Sequence, residues 1–190
     1  MANQNKAFGF SPIGRVGSTV ANQGDTQYRI SSNYGTAIFQ GDLVTLASGY
    51  LAAYSSGAAL GVFIGCQYTD PTTKKTTFKN YYPGSIVASD IVAFVVDDPS
   101  ASFVAQAVGT PGNTAIGRNA QIDTSVSGST TTGISGMQIG TPATGNATYE
   151  LKIIGVNQNP SVNDLTSANT QLIVKINNHL YGSSTGTAGV

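Results

Sequence analysis

Six consecutive apolar residues, Ile91-Val92-Ala93-Phe94-Val95-Val96, lie between Asp90 and Asp97 in a chain of 190 residues. Four of the six are β-branched, which favours the pleated conformation over the helical one. The unbroken run predicts a strand buried on both faces. Asp97-Asp98-Pro99-Ser100 stops it, because proline has no amide hydrogen to give to a ladder and restricts the residue before it. A second strand is expected at once, over 102–108, so the stretch from Ser85 to Asp123 forms the centre of the core.

The rest of the chain repeats this punctuation. Alternating short strands are predicted at 26–30, 37–39, 43–47, 50–54, 60–66 and 76–82, with turns at Gln40-Gly41-Asp42, Ser48-Gly49, Ser55-Ser56-Gly57 and Pro83-Gly84. Two more follow at 147–156 and 170–180, with Leu151 and Ile153 on one face of the first and Leu172, Val174 and Ile176 facing inward on the second. Turn signals roughly every 8–12 residues argue for a sandwich or barrel. Little or no helix is expected, since no window holds a helical apolar stripe free of glycine and β-branched residues. The expected organisation is all-β: an extended N-terminal arm over 1–25, one β domain over 26–181, and a frayed tail over 182–190. Within the domain, 124–136 is a Ser/Thr/Gly loop, long enough to be mobile or clasped by a partner. The arm scatters Phe8, Phe10, Ile13 and Val16 among small polar residues, and such groups call for a surface to rest on. Whether that surface belongs to the same chain or to a neighbour is open at this point.

Composition narrows the function classes. Charged residues make up only 9% of the chain against a usual ~25%, and nine basic residues balance nine acidic ones. Two readings stand: a surface covered by other chains, or a polar surface of Ser, Thr and Asn. Dispersed cations leave no phosphate-neutralising patch, so no nucleic-acid partner is expected. No apolar run approaches membrane-spanning length, and no secretory apolar core follows Met1. Synthesis in a cytoplasm without a cleaved signal is the simplest expectation.

Catalytic equipment is sparse. One cysteine, Cys66, and one histidine, His179, are explained by a core thiol and a surface imidazole near the chain end. Gly128 and Gly133 have the outer spacing of a phosphate loop, but Ile134 stands where its lysine must be. Asp97 and Asp98 suit a turn before proline better than a calcium site. Eight Asp, one Glu and one His do not define an acid–base pair. The expectation is a protein that is not an enzyme and takes no cofactor and no metal. Among nine tyrosines, Tyr81-Tyr82 before Pro83-Gly84 is the best aromatic pair for a surface contact, with packing on the core an equal alternative.

Three segments carry a resemblance. Gly41-Asp42-Leu43-Val44-Thr45-Leu46, Gly49-Tyr50-Leu51-Ala52 and Leu60-Gly61-Val62 form the first. Asp98-Pro99 with Phe103 and Gln106 is the second. Ile116-Gly117-Arg118-Asn119-Ala120, Gly128-Ser129-Thr130 and Thr132-Gly133-Ile134-Ser135-Gly136 make the third. In this order and spacing, over residues 41–139, they resemble the capsid decoration (cement) proteins of tailed bacteriophages, small β-barrel or β-tulip domains.

The resemblance implies a structural virion protein on the outer capsid surface that clamps neighbouring major capsid subunits, often as a homotrimer. It implies partner contacts through Phe8, Phe10, Ile13 and Val16, with Arg15 and Arg29 as paired charges. The alternative from another class is a virion appendage that binds carbohydrate or a host receptor.

Overall fold

The computed structural model describes residues 3–16, 24–182 and 186–189. Its strands are β1 (Ser11–Arg15), β2 (Thr26–Arg29), β3 (Leu43–Ala47), β4 (Tyr50–Ala53), β5 (Gly61–Thr69), β6 (Thr76–Lys79) and β7 (Val92–Val96). They continue with β8 (Ala101–Gln106), β9 (Asn119–Ala120), β10 (Ile122–Asp123), β11 (Gln138–Ile139), β12 (Leu151–Val156) and β13 (Gln171–Ile176). No helix occurs among the described residues. Every predicted strand is present except 37–39, which contributes a single bridge, Ile38 to Tyr82.

The central stretch does not form a hairpin. β7 and β8 are consecutive, yet they lie in different sheets, and the Asp97–Ser100 corner carries the chain between them. The first sheet has the order β1-β8-β13-β12-β9 and is antiparallel throughout. The second has the order β2-β7-β5-β3-β4, with β6 also paired to β5. It curls until its edge strands touch through one isolated parallel bridge, Ile30 to Leu51. The two sheets face one another as in a sandwich, and neither closes into a barrel.

Two cores result. One lies between the sheets and is rich in alanine: Ala101, Ala105 and Ala107 of the β8 segment, with Phe103, Leu151, Val174 and, from the second sheet, Leu43, Val62 and Val96. The other fills the inside of the curl with Val44, Leu51, Phe63, Cys66, Tyr68, Ala93 and Val95, and is covered by Ile38 and Tyr82 from irregular segments. Burial of β7 on both faces therefore holds at its end, where Val95 and Val96 point into different cores. Val92 and Phe94 are only half-buried, which corrects the expectation for the start of the strand.

The surface under the arm, left open by the sequence, is this chain's own. The arm is extended, but β1 is the edge strand of the first sheet and pairs with β8 in this same chain. Of the tail, residues 186–189 are held down: Thr187 donates from its backbone to Asn177 Oδ1 at 3.0 Å, and Lys152 Nζ donates to the Ala188 carbonyl at 2.9 Å. The remaining tail residues, 183–185 and 190, lie outside the described residues, as do 17–23 of the arm.

Candidate interaction surface

The arm is tied to the body residue by residue. Asn3 is buried and its Nδ2 donates to the Asp164 and Ala168 carbonyls at 2.9 and 3.0 Å. The Lys6 amide donates to Gln106 Oε1 at 2.8 Å, and Gln106 Nε2 donates to Asn5 Oδ1 at 2.9 Å. Gln106 is thus a polar residue on β8 satisfied by the arm that covers it and by Asn169 Oδ1, to which its Nε2 also donates at 2.9 Å. At Gly9 and Gly41 two backbones approach closely. A Cβ on Gly9 would meet Ser135 Cβ at 2.5 Å and the Gly41 carbonyl at 2.7 Å, and both glycines have positive φ. Only a residue without a side chain fits there. The Phe10 amide then donates to the Gly41 carbonyl at 2.9 Å.

This docking sorts the expected partner-binding residues. Phe10 is 1% exposed within the inter-sheet core. It is therefore not available to a neighbour, which corrects its assignment: the ring's apolar area is already removed from water by the chain's own Phe103, Ala105 and their neighbours. Phe8 is half-buried, and Ile13 and Val16 are each 46% exposed. Arg15 forms an ion pair with Asp98. Arg29 is exposed on β2 and acts on Asp90, whose carboxyl is held below the usual range, first by the Thr69 hydroxyl and amide and last by the Arg29 charge. The two arginines thus serve different carboxylates rather than one shared patch.

What lies beside Phe8 has little signal in the sequence. The Ser/Thr/Gly loop at 124–136 folds back on its own chain: Gln40 and Ile134 form a bridge, Asn80 Nδ2 donates to the Thr132 carbonyl at 2.9 Å, and Ser135 is buried. Ile134 and Val126 of this segment remain exposed. Two grooves of ≈ 220 and ≈ 190 Å³ share Phe8 and Ile134 in their walls; the first extends to Pro12 and Ile64, the second to Val126. Both are smaller than the ~300–1,000 Å³ of ordinary small-molecule sites. They are sized for single side chains. An isolated isoleucine in a polar loop was the one signal that could have pointed here.

The chemistry-bearing residues are dispersed. Cys66 is buried inside the curl, and burial pushes its thiol up to about 12, so it is no ready nucleophile. His179 is also buried, not at the surface as expected, and bridges Ala59, seven residues before Cys66. Along extended chain that separation is roughly 20 Å, so the two form no couple. Tyr82 is fully buried, its hydroxyl donating to the Tyr34 carbonyl at 2.9 Å, while Tyr81 stacks on Phe39 with ring centroids 5.7 Å apart. The expected aromatic pair is therefore split. No group of His, Cys, Asp and Glu suited to a metal occurs among the described residues.

Asp97 and Asp98 serve the corner. Asp97 accepts from the Thr26 hydroxyl at 2.8 Å and the Tyr28 hydroxyl at 2.5 Å, and Asp98 accepts from the Ser100 amide at 2.8 Å. Burial, then the Asp97 hydrogen bond, raises the Tyr28 phenol well above its ordinary value. Compared with protein-family models, curated proteins and solved structures, the chain matches none.

Proposed function

We propose that this chain is a structural virion protein that seats on the outer surface of an assembled phage capsid and bridges neighbouring major capsid subunits. The observation that carries the reading is the surface along the arm: Phe8, Pro12 and Ile134 line side-chain-sized grooves, and Ile13 and Val16 stand exposed on or beside edge strand β1. An edge strand with apolar groups at its margin suits strand addition or groove filling by a partner. The three segments that resemble decoration proteins support the choice of partner, the low charge supports a covered surface, and self-association as a trimer belongs to the same proposal.

Binding only to the expanded shell stabilises it by mass action, and copies joined to each other add avidity to a modest contact. The role asks for no catalytic group, and protein and shell meet without nucleic acid, membrane or cofactor. Co-sedimentation with expanded and unexpanded capsids lacking the protein tests this. Saturable binding to the expanded form, in multiples of three per facet, is expected; no binding to either form overturns it.

A second reading, a carbohydrate- or receptor-binding appendage, is favoured by one feature. An open groove of ≈ 660 Å³ places Tyr149 beside Gln121, Asp123 and Thr141, an aromatic face among hydrogen-bonding groups. Glycan-array binding that is lost in Tyr149→Ala would select it.

A further inference from the structure

We propose that His179 closes an acid-sensitive clasp that holds residues 179–182 against the Asp97–Ser100 corner between the two sheets. The clasp is built from a continuous set of contacts. The Leu180 amide donates to the Ala59 carbonyl at 2.8 Å, and the Ala59 amide donates to the Asn178 carbonyl at 2.9 Å. The Tyr181 amide donates to His179 Nδ1 at 3.0 Å, and the Tyr181 hydroxyl lies 3.4 Å from that of Tyr28. Gly182 approaches the corner so closely that a Cβ there would lie 3.2 Å from Pro99 Cβ.

The imidazole is 2% exposed. Because Nδ1 accepts the Tyr181 N–H, the neutral ring carries its single proton on Nε2. A second proton must go to Nδ1, which then faces the Tyr181 N–H donor to donor. The hydrogen bond cannot survive that step, and the segment has to lift for the charged ring to reach water.

The groups around the ring come from three elements. Asp97 and Asp98 at the corner favour the charged form, as does the Asp97 backbone, but burial outweighs them and holds the imidazole below its ordinary value. The Asp98 charge is shared with Arg15, and that of Asp97 is tied up by Thr26 and Tyr28 of β2. The Tyr28 phenol, held above its ordinary value by burial and by Asp97, adds no charge there. A folded-state value below 6.5 means that the clasp is fully closed above that pH and weakens as pH falls below it. The same corner holds the end of the arm, through the Arg15–Asp98 pair and a 2.9 Å bond from the Val16 amide to the Ser100 carbonyl. Opening the clasp therefore also reaches the arm, at Arg15 and Val16. This inference does not depend on what the chain binds.

Amide exchange of the full chain by NMR, corrected for intrinsic rates, tests it between pH 8 and 5. Tyr181 protection is expected to be constant above about pH 6.5 and to fall by up to about tenfold per pH unit below it. His179→Asn, whose Oδ1 takes the place of Nδ1 and does not titrate, is expected to abolish the dependence. Independently of that variant, the wild-type imidazole nitrogens at pH 8 are expected to report the neutral ring protonated on Nε2. Protection that stays flat to pH 5, an equal fall in His179→Asn, or a ring charged at pH 6 with Tyr181 still protected would each overturn the proposal.

Discussion

The two cores of this molecule are built by different means. Between the sheets, β8 presents Ala101, Phe103 and Ala105 to Leu172 and Val174 of β13, and the spacing of the layers is set by small residues around a few large ones. Inside the curl of the second sheet the residues are larger and some are polar at the tip: Phe63, Tyr68 and Tyr82, capped by segments outside regular strands. The first core depends on close packing of ladders. The second depends on hydrogen bonds that let tyrosines end inside it, as when the Tyr34 hydroxyl accepts from the Ala53 amide at 3.0 Å. What differs is where each core keeps its tolerance: the first for polar change on its outer faces, the second for none at its tyrosine tips.

Substitutions sharpen that contrast in order of effect. Phe103→Ala removes the largest β8 side chain from the inter-sheet core and is expected to cost about 3–5 kcal/mol by denaturant unfolding. In the same core Ala105→Leu adds volume where two sheets already meet, with an expected loss of about 1–3 kcal/mol. Tyr82→Phe, in the curl, keeps the ring but takes the acceptor from the Ile86 amide and one of two donors from the Tyr34 carbonyl, for about 1–3 kcal/mol in the same assay. If Tyr82→Phe is neutral while Ala105→Leu is costly, the hydrogen-bonded account of the second core fails. Smallest is Arg15→Ala. Its side chain is 42% exposed, so loss of the Asp98 pair is expected to cost under about 1 kcal/mol, and less in high salt.

The same contrast explains how much could be read from the sequence. Strands β12 and β13 announce themselves by alternation, because one face is core and the other is not, and the inter-sheet core follows from them. The covering of the second core does not. Ile38 and Tyr82 meet in one isolated bridge rather than a ladder, so no period marks their inward side. The run at Ile91–Val96 was legible as the centre, but its continuation into the opposite sheet was not, since a proline corner fits a hairpin as well as a crossing.

The arm shows the limit most clearly. Apolar residues without a period indicate burial somewhere, yet only the approach of Gly9 to Gly41 decides that Phe10 turns inward while Ile13 stays out. The polar loop at 124–136 reads as mobile or clasped by a partner because the groups of its own chain that hold it, Gln40 and Asn80, are distant in sequence. His179 looked like a surface residue for the same reason: Ala59, which fixes it, lies 120 residues earlier in the chain.

This division of the arm also changes how a binding role must be tested. Removing residues 2–20 would take away β1 and Phe10 together, and so would report on stability before binding. The direct measurement compares Phe10→Ala with the double variant Ile13→Asp and Val16→Asp, reading thermal midpoint and co-sedimentation with expanded shells side by side. A clearly lowered midpoint is expected for Phe10→Ala. For the double variant the expected result is an unchanged midpoint with at least tenfold weaker shell binding. Full shell binding by a folded double variant would contradict a binding role for the exposed face of the arm.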